Sequence, residues 1–369
     1  MLQFFLLILC IGCNLSAFEF SWEKVQAKLA QPLPEWMRQQ IEEDLMPFYE
    51  KGVTSEMIAS TIKNVRAIPS GHRADFVLYK IRDNKITVET FTNPLTDVRI
   101  AHVVEVLEDM AKYLRLPDVE FLSSIWDSYD NPLYLEQTEC PVFTMCKLKS
   151  NHCGVLFPEF RHFSYRKRSY NDICCTNLSS PWKSKAGIAF WRGMTSGWHY
   201  NYEGWDLKPR SRLVLFSKEY PELVDAAFTD PYSLSQDIKR LMETYDLFKQ
   251  WTYLTAFVKY KYLVSIDGNT FASNFWWGLL ANCAVLKSNS DYVEWFYKGV
   301  VPYVHYVPFE PDLSDFKEKV LWLKNHDREA EKIAAQGENF AREHLSNEAL
   351  MVYFYRLLQA YAALYRAFS

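Results

Sequence analysis

The sequence predicts an α/β protein made of two layered domains that face a central cleft. The chain has 369 residues, which fits two domains of ordinary size. Hydrophobic residues make up 49 % of it, which is enough for a large core. Short runs of apolar and β-branched residues alternate with segments of helical periodicity in both halves, and this alternation is typical of α/β folds.

The first half begins with helical periodicity that Pro32 and Pro34 interrupt. Further along, two runs of strand length flank a polar turn at 82–84, which predicts a β-hairpin. The predicted segments are helices over 21–63 and 98–114, the hairpin of 76–81 with 85–91, and strands over 119–125 and 141–147. A polar, cysteine-bearing stretch at 151–185 is the predicted linker to the second half.

The second half repeats the alternation and ends in long helices. Strands are predicted over 187–191, 213–217, 224–228 and 303–308, and helices over 233–250, 313–324, 327–345 and 347–368, with a further helix opening at 294–297. The predicted division is a signal peptide at 1–17, an N-terminal domain at 18–180, a C-terminal domain at 181–340 and a C-terminal helix at 341–369 that packs back.

The chain is organised around 258–287, which predicts a βαβ unit. It divides into a strand at 260–266, an Asp-Gly turn, a helix at 269–282 and a strand at 283–286. The unpaired N–H groups at the start of that helix, from Thr270 to Ser273, would bind an anion such as phosphate. An ordinary βαβ unit without a ligand explains this stretch equally well.

Charge and motifs exclude several classes of protein. The net charge of −4 does not indicate the basic surface that nucleic-acid binding requires. The motifs GxxxxGK[ST], GxGxxG, HExxH and GxSxG do not occur, which argues against nucleoside triphosphatases, simple dehydrogenases, zincins and α/β hydrolases. No DxD motif is present to hold a metal with a diphosphate, so no metal is expected.

The first residues predict export. The run 2–13 is mostly apolar and too short to span a bilayer, so cleavage near Ala17 is expected. Six cysteines follow, and five of them lie between Cys140 and Cys175 with spacings that match no zinc pattern. One or two local disulfides are therefore expected, in a protein of the secretory route that is soluble or in peripheral contact with a membrane.

Candidate chemical groups stand where predicted strands end. Asp127 follows a buried strand, at the sheet edge where ligands collect, and could act as a general base towards a hydroxyl; a capping or turn role is the alternative. Arg192 ends one strand, and Arg210 precedes another. Gly193 would let the backbone approach a ligand closely. Each arginine alone fits a surface ion pair, but together with the anion site the arginines would hold a diphosphate.

Several ordered blocks carry a resemblance to a known family. They are LPDVEF at 116–121, Trp126-Asp127, FWRG at 190–193, YPELVD at 220–225, KYKYL at 259–263, IDGN at 266–269, LKS at 286–288, EWFY at 294–297 and HYVP at 305–308. Over about 35–360 the chain resembles the family 90 glycosyltransferases, which include protein O-glucosyltransferases, capsule-associated xylosyltransferases and lipopolysaccharide glycosyltransferases.

The resemblance implies a GT-B-like fold, in which two Rossmann-type domains face a central cleft, and inverting transfer from a UDP-sugar without an essential metal. The N-terminal domain would then be the acceptor side and the C-terminal domain the nucleotide-sugar side. By this resemblance Asp127 is the catalytic carboxylate. The implied donor-binding residues are Arg192, Gly193, Arg210, Gly268, Asn269, Thr270, Phe271, Ala272, Ser273 and Asn274. Two positions depart from the family: Asn274 stands where an arginine is usual, and Met194 where serine or alanine is usual.

The expected function is transfer of a sugar, glucose or xylose, from a UDP-sugar to a hydroxyl acceptor. A surface glycan or lipopolysaccharide is the expected acceptor, because the run Arg-Gly-Met-Thr-Ser-Gly at 192–197 resembles that of the bacterial members. Aromatic residues at 198, 200, 202 and 205 would suit stacking on sugar faces, and core packing explains them nearly as well. Serine of a secreted protein is the alternative acceptor, and a non-catalytic glycan-binding protein is the alternative class. The expected location is the periplasm or a membrane of a bacterium, or the endoplasmic reticulum or Golgi lumen of a eukaryote.

Overall fold

The computed structural model describes residues 18–68, 76–91, 98–159, 163–197, 200–232 and 234–366. Across these residues the chain forms two five-stranded sheets, one in each half, with helices packed on them. The α/β prediction with two layered units is confirmed. The predicted signal peptide at 1–17 lies outside the described residues.

The N-terminal half contains a mixed sheet with the strand order β3-β2-β4-β5-β7. Its elements are α1 (Trp22–Leu29), α2 (Glu35–Leu45), β1 (Val53–Thr54), α3 (Ser55–Arg66), β2 (Phe76–Arg82), β3 (Lys85–Thr90), α4 (Val98–Tyr113), β4 (Val119–Ser124), α5 (Pro132–Leu135), β5 (Val142–Thr144), β6 (Cys146–Leu148), β7 (Gly154–Leu156) and α6 (Phe163–Leu178). The strands β4, β5 and β7 are parallel, whereas β2 is antiparallel to both of its neighbours.

The C-terminal half contains a sheet in which every neighbouring pair of strands is parallel, in the order β13-β11-β10-β8-β9. Its elements are β8 (Ala186–Met194), α7 (Pro209–Glu219), β9 (Val224–Asp230), α8 (Gln236–Thr244), β10 (Tyr260–Ser265), α9 (Phe275–Leu280), β11 (Ala284–Ser288), β12 (Tyr292–Glu294), β13 (Val307–Phe309), α10 (Phe316–Asn325), α11 (Asp327–His344), α12 (Asn347–Leu364) and β14 (Tyr365–Arg366). The carboxyl ends of these parallel strands meet at one edge, where ligands of α/β sheets bind.

The last helix packs back onto the N-terminal half, as predicted. Ser346 caps the start of α12 by accepting a hydrogen bond from the backbone N–H of Ala349. On the buried face of α12, the Tyr353 hydroxyl donates to the Leu156 carbonyl at 3.2 Å, and the Tyr361 hydroxyl donates to the Glu120 carbonyl at 2.8 Å. The strand β14 then pairs with β1. The chain therefore crosses to the C-terminal sheet and returns.

A two-stranded antiparallel ribbon joins the two halves. The strand β6 of the first half pairs with β12 of the second, and Cys146 lies opposite Glu294 and Lys147 opposite Val293. Successive side chains of a strand point to opposite faces, so the ribbon has a Cys146 face and a Lys147 face. On the Lys147 face, the ammonium group forms a buried ion pair with Asp44 of α2 at 2.6 Å.

Several boundaries differ from the sequence predictions. Residues 213–217, predicted as a strand, lie inside α7, which Pro209 begins at the first helical turn, where its fixed φ favours helix. The helix predicted to open at 294–297 is instead the end of β12 followed by a 3₁₀ helix. The predicted linker at 151–185 contains β7 and α6, because Val155 and Ile173 are buried in the N-terminal core. The domain boundaries at 180 and 340 stay predictions.

The expected local disulfides are absent from the described residues. All six cysteines after the leader are free thiols: Cys140, Cys146, Cys153, Cys174, Cys175 and Cys283. Five of them are buried and pack as small apolar side chains among their neighbours, while Cys175 is partly buried. None of the helices in the described part of the chain is both long and apolar enough to cross a membrane.

Candidate active site

Asp127 lies just beyond the carboxyl end of β4, as its position in the sequence predicts. It is partly buried, and its carbonyl accepts a hydrogen bond from the backbone N–H of Cys146 at 3.1 Å. Ser128 also forms a parallel bridge with Cys146. These contacts fix the turn that carries Asp127 against β6, the strand that reaches the other half.

Asp130, the second carboxylate of this segment, has a structural environment. Its Oδ1 atom accepts hydrogen bonds from the Leu148 backbone N–H at 2.9 Å and from the Asn151 amide at 2.8 Å. Asn151 in turn accepts from the N–H groups of Cys153 and Gly154. Asp130 therefore holds the loop between β6 and β7 through Oδ1, while its buried Oδ2 has no hydrogen-bond partner in the described residues.

Arg210 lies in the first turn of α7 and ties together two loops at the carboxyl edge of the C-terminal sheet. Its guanidinium donates to the carbonyl of Met194 at 3.0 Å and to the Ser196 hydroxyl at 2.6 Å, both at the end of β8. It also donates to the carbonyls of Asp267 at 3.1 Å and Ile266 at 3.2 Å, beyond the end of β10. Burial lowers the pKa of this guanidinium from its ordinary value.

Gly268 and Asn269 complete this junction. A Cβ atom at position 268 would lie 2.8 Å from Nη2 of Arg210 and closer still to the Ser196 hydroxyl, so glycine lets the arginine pack on the loop. The Asn269 side chain accepts a hydrogen bond from the Gly197 N–H at 2.8 Å. The loops after β8 and β10 therefore form one connected surface.

Arg192 is not part of that surface. It donates two hydrogen bonds of 2.9 Å to the carboxylate of Asp225, and its guanidinium lies 4.4 Å from the centre of the Phe190 ring. Arg210 instead lies over the Trp191 ring, at 5.6 Å from its centre. Because side chains alternate along β8, Arg192 and Arg210 lie on opposite faces of the sheet. The structure does not bring the two predicted phosphate-binding arginines together.

Gly193 has a packing role that the sequence did not indicate. A Cβ atom there would lie 2.5 Å from a ring carbon of Trp191, whose side chain is 2 % exposed. The ring of Trp191 covers position 193, which lies two residues further along on the same face of β8. Glycine is needed here for the indole ring, whether or not a ligand also approaches.

The helix predicted to begin at 269 begins at Phe275, so the predicted helix N-terminus at 270–273 is wrong. The residues before α9 form a loop, which is fixed by a side-chain hydrogen bond: the Asn274 amide donates to the Val264 carbonyl at 2.9 Å. Thr270, Phe271 and Ala272 are buried, and Ser273 is exposed. An anion would thus meet the N–H groups of a loop and not those of a helix end.

The loop at 268–274 meets the N-terminal half at Cys146. Burial raises the pKa of the Cys146 thiol, and the backbone N–H of Phe271, which faces its sulfur, opposes that shift. Cys146 is also the residue whose N–H binds the Asp127 carbonyl. One residue of the ribbon therefore contacts both the segment of Asp127 and the loop at the edge of the C-terminal sheet.

Two buried charged residues near this junction were missed in the sequence. Lys287 on β11 forms an ion pair of 2.9 Å with Asp267, which fixes the start of the loop. Glu294 on the Cys146 face of the ribbon is 4 % exposed, and its Oε2 atom has no hydrogen-bond partner in the described residues. Burial raises the pKa of Glu294 well above its ordinary value. The sequence did contain a signal for both residues: a lysine and a glutamate stand within otherwise apolar strands. A charged side chain that is buried requires a partner, so such positions indicate a specific interaction.

A cavity of about 610 Å³ lies on the Lys147 face of the ribbon. It is lined by residues of α2, of the loop after β6 and of the segment after β11, including Asp44, Lys147, Lys287 and Val293. Asp127, Arg210 and the loop at 268–274 do not line it. The cavity is therefore distinct from these residues, although Lys287, which pairs with Asp267, lines it. No cluster of three or more metal-binding side chains occurs in the part of the chain that the structure describes.

The two-sheet α/β fold thus places the Asp127 segment of one half and the 268–274 loop of the other beside the same strand, β6. The chain belongs to glycosyltransferase family 90, whose family model matches residues 31–368.

Among curated proteins, it is similar to protein O-glucosyltransferase 2 of Danio rerio, with 30 % identity over 78 % of this chain and 55 % of that protein. Protein O-glucosyltransferase 3 of Homo sapiens is 32 % identical over 70 % of this chain and 49 % of its own length. Protein O-glucosyltransferase 1 of Homo sapiens is 26 % identical over 87 % of this chain and 78 % of that protein. The chain thus spans about half the length of the first two of these relatives.

Replacing Gly193 tests its packing role. Gly193→Ala should lower the free energy of unfolding by about 1–3 kcal/mol, the usual cost of overpacking, because the new methyl group meets the buried Trp191 ring. Gly187→Ala on the same strand is the control, since a Cβ there has no atom within 4 Å and should change stability by less than about 0.5 kcal/mol. Urea unfolding measures both. Equal stabilities would mean that the ring moves aside at little cost.

Proposed function

We propose that this chain is an inverting glycosyltransferase that moves a sugar from a UDP-sugar to a hydroxyl group of a protein. The observation that carries the proposal is the meeting at Cys146 of the Asp127 segment and the loop at 268–274. A transferase needs a base beside the acceptor and a binding site for the leaving group, and the two halves of the chain supply one each. Membership of the family and the names of the relatives support a sugar nucleotide as donor.

In the proposed reaction Asp127 accepts the proton of the acceptor hydroxyl. The acceptor oxygen then forms a bond to the anomeric carbon while the bond from that carbon to the UDP oxygen breaks, so the configuration is inverted. UDP leaves with the electron pair of the broken bond and gains negative charge. Groups that stabilise this charge act most strongly in the transition state and therefore accelerate the reaction.

Arg210 and the loop N–H groups are the proposed partners of the diphosphate. A guanidinium has five N–H donors. Four hydrogen bonds from Arg210 go to protein acceptors in the described residues, which leaves one donor on Nη2 for a phosphate oxygen. The N–H groups of the loop at 268–274 add to the local potential, whereas the charge of Lys287 is balanced by Asp267. On this proposal no metal is required.

The acceptor is proposed to be a protein side chain because the similar curated proteins are named protein O-glucosyltransferases. The saccharide acceptor expected from the sequence depended on the run at 192–197 and, in part, on aromatic residues at 198, 200, 202 and 205. Tyr200 and Trp205 are 9 % and 7 % exposed and pack in the C-terminal core, whereas Tyr202 is 67 % exposed. Trp198 lies outside the described residues. The predicted leader supports a secretory location, and glucose is the proposed sugar.

Incubation with a panel of UDP-sugars tests the function. The protein should release UDP from UDP-glucose faster when a small disulfide-bonded module with an exposed serine is present, and mass spectrometry should find one hexose on that serine. The same rate is expected with EDTA. Release stimulated only by a saccharide would overturn the protein acceptor, and no release from any donor would overturn the enzyme class.

Replacing Asp127 tests the base. Asp127→Asn should lower the transfer rate by about 10²–10⁴, the usual contribution of a general base, while UDP affinity stays within twofold. Asp246→Asn is the control, because Asp246 is an exposed carboxylate that forms a surface ion pair with Lys218 at 2.7 Å. Wild-type turnover by the Asp127 variant would remove this residue from the mechanism.

Replacing Arg210 tests the leaving-group site. Arg210→Ala should weaken UDP binding by about 1.5–3 kcal/mol, because a charge-assisted phosphate contact is lost and the two loops are released. Arg212→Ala on the same helix, whose guanidinium donates to the Asp312 carbonyl, should bind UDP normally. Calorimetry measures both, with Arg210→Lys as a variant that keeps the charge. Unchanged UDP affinity in a folded Arg210→Ala protein would contradict the assignment.

A further inference from the structure

Glu294, at the end of β12, and two residues near it each have a buried polar atom without a hydrogen-bond partner in the described residues. The three atoms are Oε2 of Glu294, the hydroxyl of Tyr297 and Nε of Arg166. Glu294 and Arg166 are 4 % and 7 % exposed, so these atoms are closed off from bulk water. A buried polar atom without a partner costs free energy, and its presence in a folded protein requires an explanation.

The three side chains are electrostatic neighbours. Burial raises the pKa of Glu294, and the Tyr297 hydroxyl and the charge of Arg166 oppose that rise. Burial also lowers the pKa of Arg166 to about 10. The Arg166 guanidinium donates to the Leu345 carbonyl at 3.0 Å and lies 3.5 Å from the centre of the Trp276 ring. Within the described residues Nε of Arg166 and Oε2 of Glu294 stay unpaired, so a donor and an acceptor remain available near each other.

Glu294 borders the place where the transferred sugar would lie. It is opposite Cys146 on the ribbon, so the two side chains share one face. Burial raises the pKa of the Cys146 thiol, and the charges of Glu294 and Asp127 raise it further, while the Phe271 N–H opposes the shift. One sulfur atom is therefore near Glu294, Asp127 and the loop at 268–274. In the proposed reaction the anomeric carbon lies between Asp127 and the diphosphate on that loop, which places the sugar ring beside Glu294.

The unpaired atoms fit a hydroxyl group. A hydroxyl donates one hydrogen bond and accepts two, so it can donate to Oε2 of Glu294 while it accepts from the Nε–H of Arg166. An ionised phosphate or carboxylate has no hydrogen to donate to Oε2. An apolar group would leave all of these polar atoms buried and unpaired. The chemistry therefore favours a sugar hydroxyl over the other groups of a sugar nucleotide.

We propose that Glu294 determines donor specificity by binding one hydroxyl group of the transferred sugar, with Arg166 as the second partner of that hydroxyl. This inference rests on the proposed function and adds to it how the sugar is selected. The sugar displaces the groups that cover Oε2 and replaces an unpaired buried oxygen with a hydrogen bond. Such a site rejects a sugar that lacks the hydroxyl, because its own polar atoms then stay unpaired. Glu294 takes no part in bond breaking.

Monodeoxy donors test the inference. UDP-glucose is compared with its 2-, 3-, 4- and 6-deoxy analogues, and kcat/KM is measured from UDP release with the acceptor module present. The wild type should lose about 10²-fold or more in kcat/KM with one of the four analogues, as expected when a site built for a hydroxyl does not find it. Glu294→Leu has no hydrogen-bonding group, so it should use UDP-glucose and that analogue with kcat/KM values within about threefold of each other. Its UDP affinity should stay within about twofold of the wild type.

Further variants separate sugar contact from structural damage. Glu294→Gln keeps the shape of the side chain and should lower the preference for UDP-glucose about tenfold, because a neutral amide forms a weaker hydrogen bond, so it decides the question if Glu294→Leu does not fold. The same two changes at Glu348 are the control, since Glu348 is also buried but accepts from the Ser21 N–H at 3.1 Å; they should leave the preference unchanged.

The outcomes distinguish the inference from the function on which it rests. Equal kcat/KM values of the wild type for all five donors would overturn the inference and leave the function intact. A wild-type preference retained by a folded Glu294→Leu or Glu294→Gln protein would do the same. Absence of UDP release from UDP-glucose by the wild type would overturn the function itself.

Discussion

The antiparallel pairing of β6 with β12 is the constraint on which the candidate site depends. Only three residue pairs form this ribbon, yet it places Cys146 between the Asp127 segment of one half and the 268–274 loop of the other. Its opposite face is fastened by the buried ion pair of Lys147 with Asp44. Removing one partner of such a pair leaves a buried charge, so the ribbon has little freedom to slip. A shift by one residue would turn Cys146 away from the site and Lys147 towards it.

Arg210 and Arg192 show how position decides the role of one residue type. Both guanidinium groups are largely satisfied by protein acceptors, but Arg192 pairs with a carboxylate, which neutralises it, whereas the partners of Arg210 are carbonyls and a hydroxyl. The charge of Arg210 therefore remains available to an anion even though its hydrogen bonds are mostly used. The same bonds hold the loops after β8 and β10 together, so charge and shape at this edge depend on one side chain.

The parts of the fold that could be predicted from the sequence are those set by local patterns. The β2–β3 hairpin follows from alternation around a turn in which Asp83 and Asn84 adopt positive φ, and β10 and β11 follow from their apolar runs. The start of α9 could not be predicted, because it depends on a tertiary contact: the Asn274 amide binds the Val264 carbonyl and the residues before it are buried. The α7 error has a different cause, since a short apolar run fits a strand and a helix equally well.

The candidate site likewise has a part that could be expected from the sequence and a part that depends on the folded structure. Asp127 and Arg210 are candidates because each flanks an element and each corresponds to a family position by resemblance. Their relation to Cys146, Glu294 and Lys287 depends on the ribbon, whose pairing partners are almost 150 residues apart. Position in the sequence could not distinguish Arg192 from Arg210 either, because the face of β8 that each occupies is a property of the folded sheet. In the proposed function the donor loop and the base come from different sheets, so their relative position depends on the register of the ribbon.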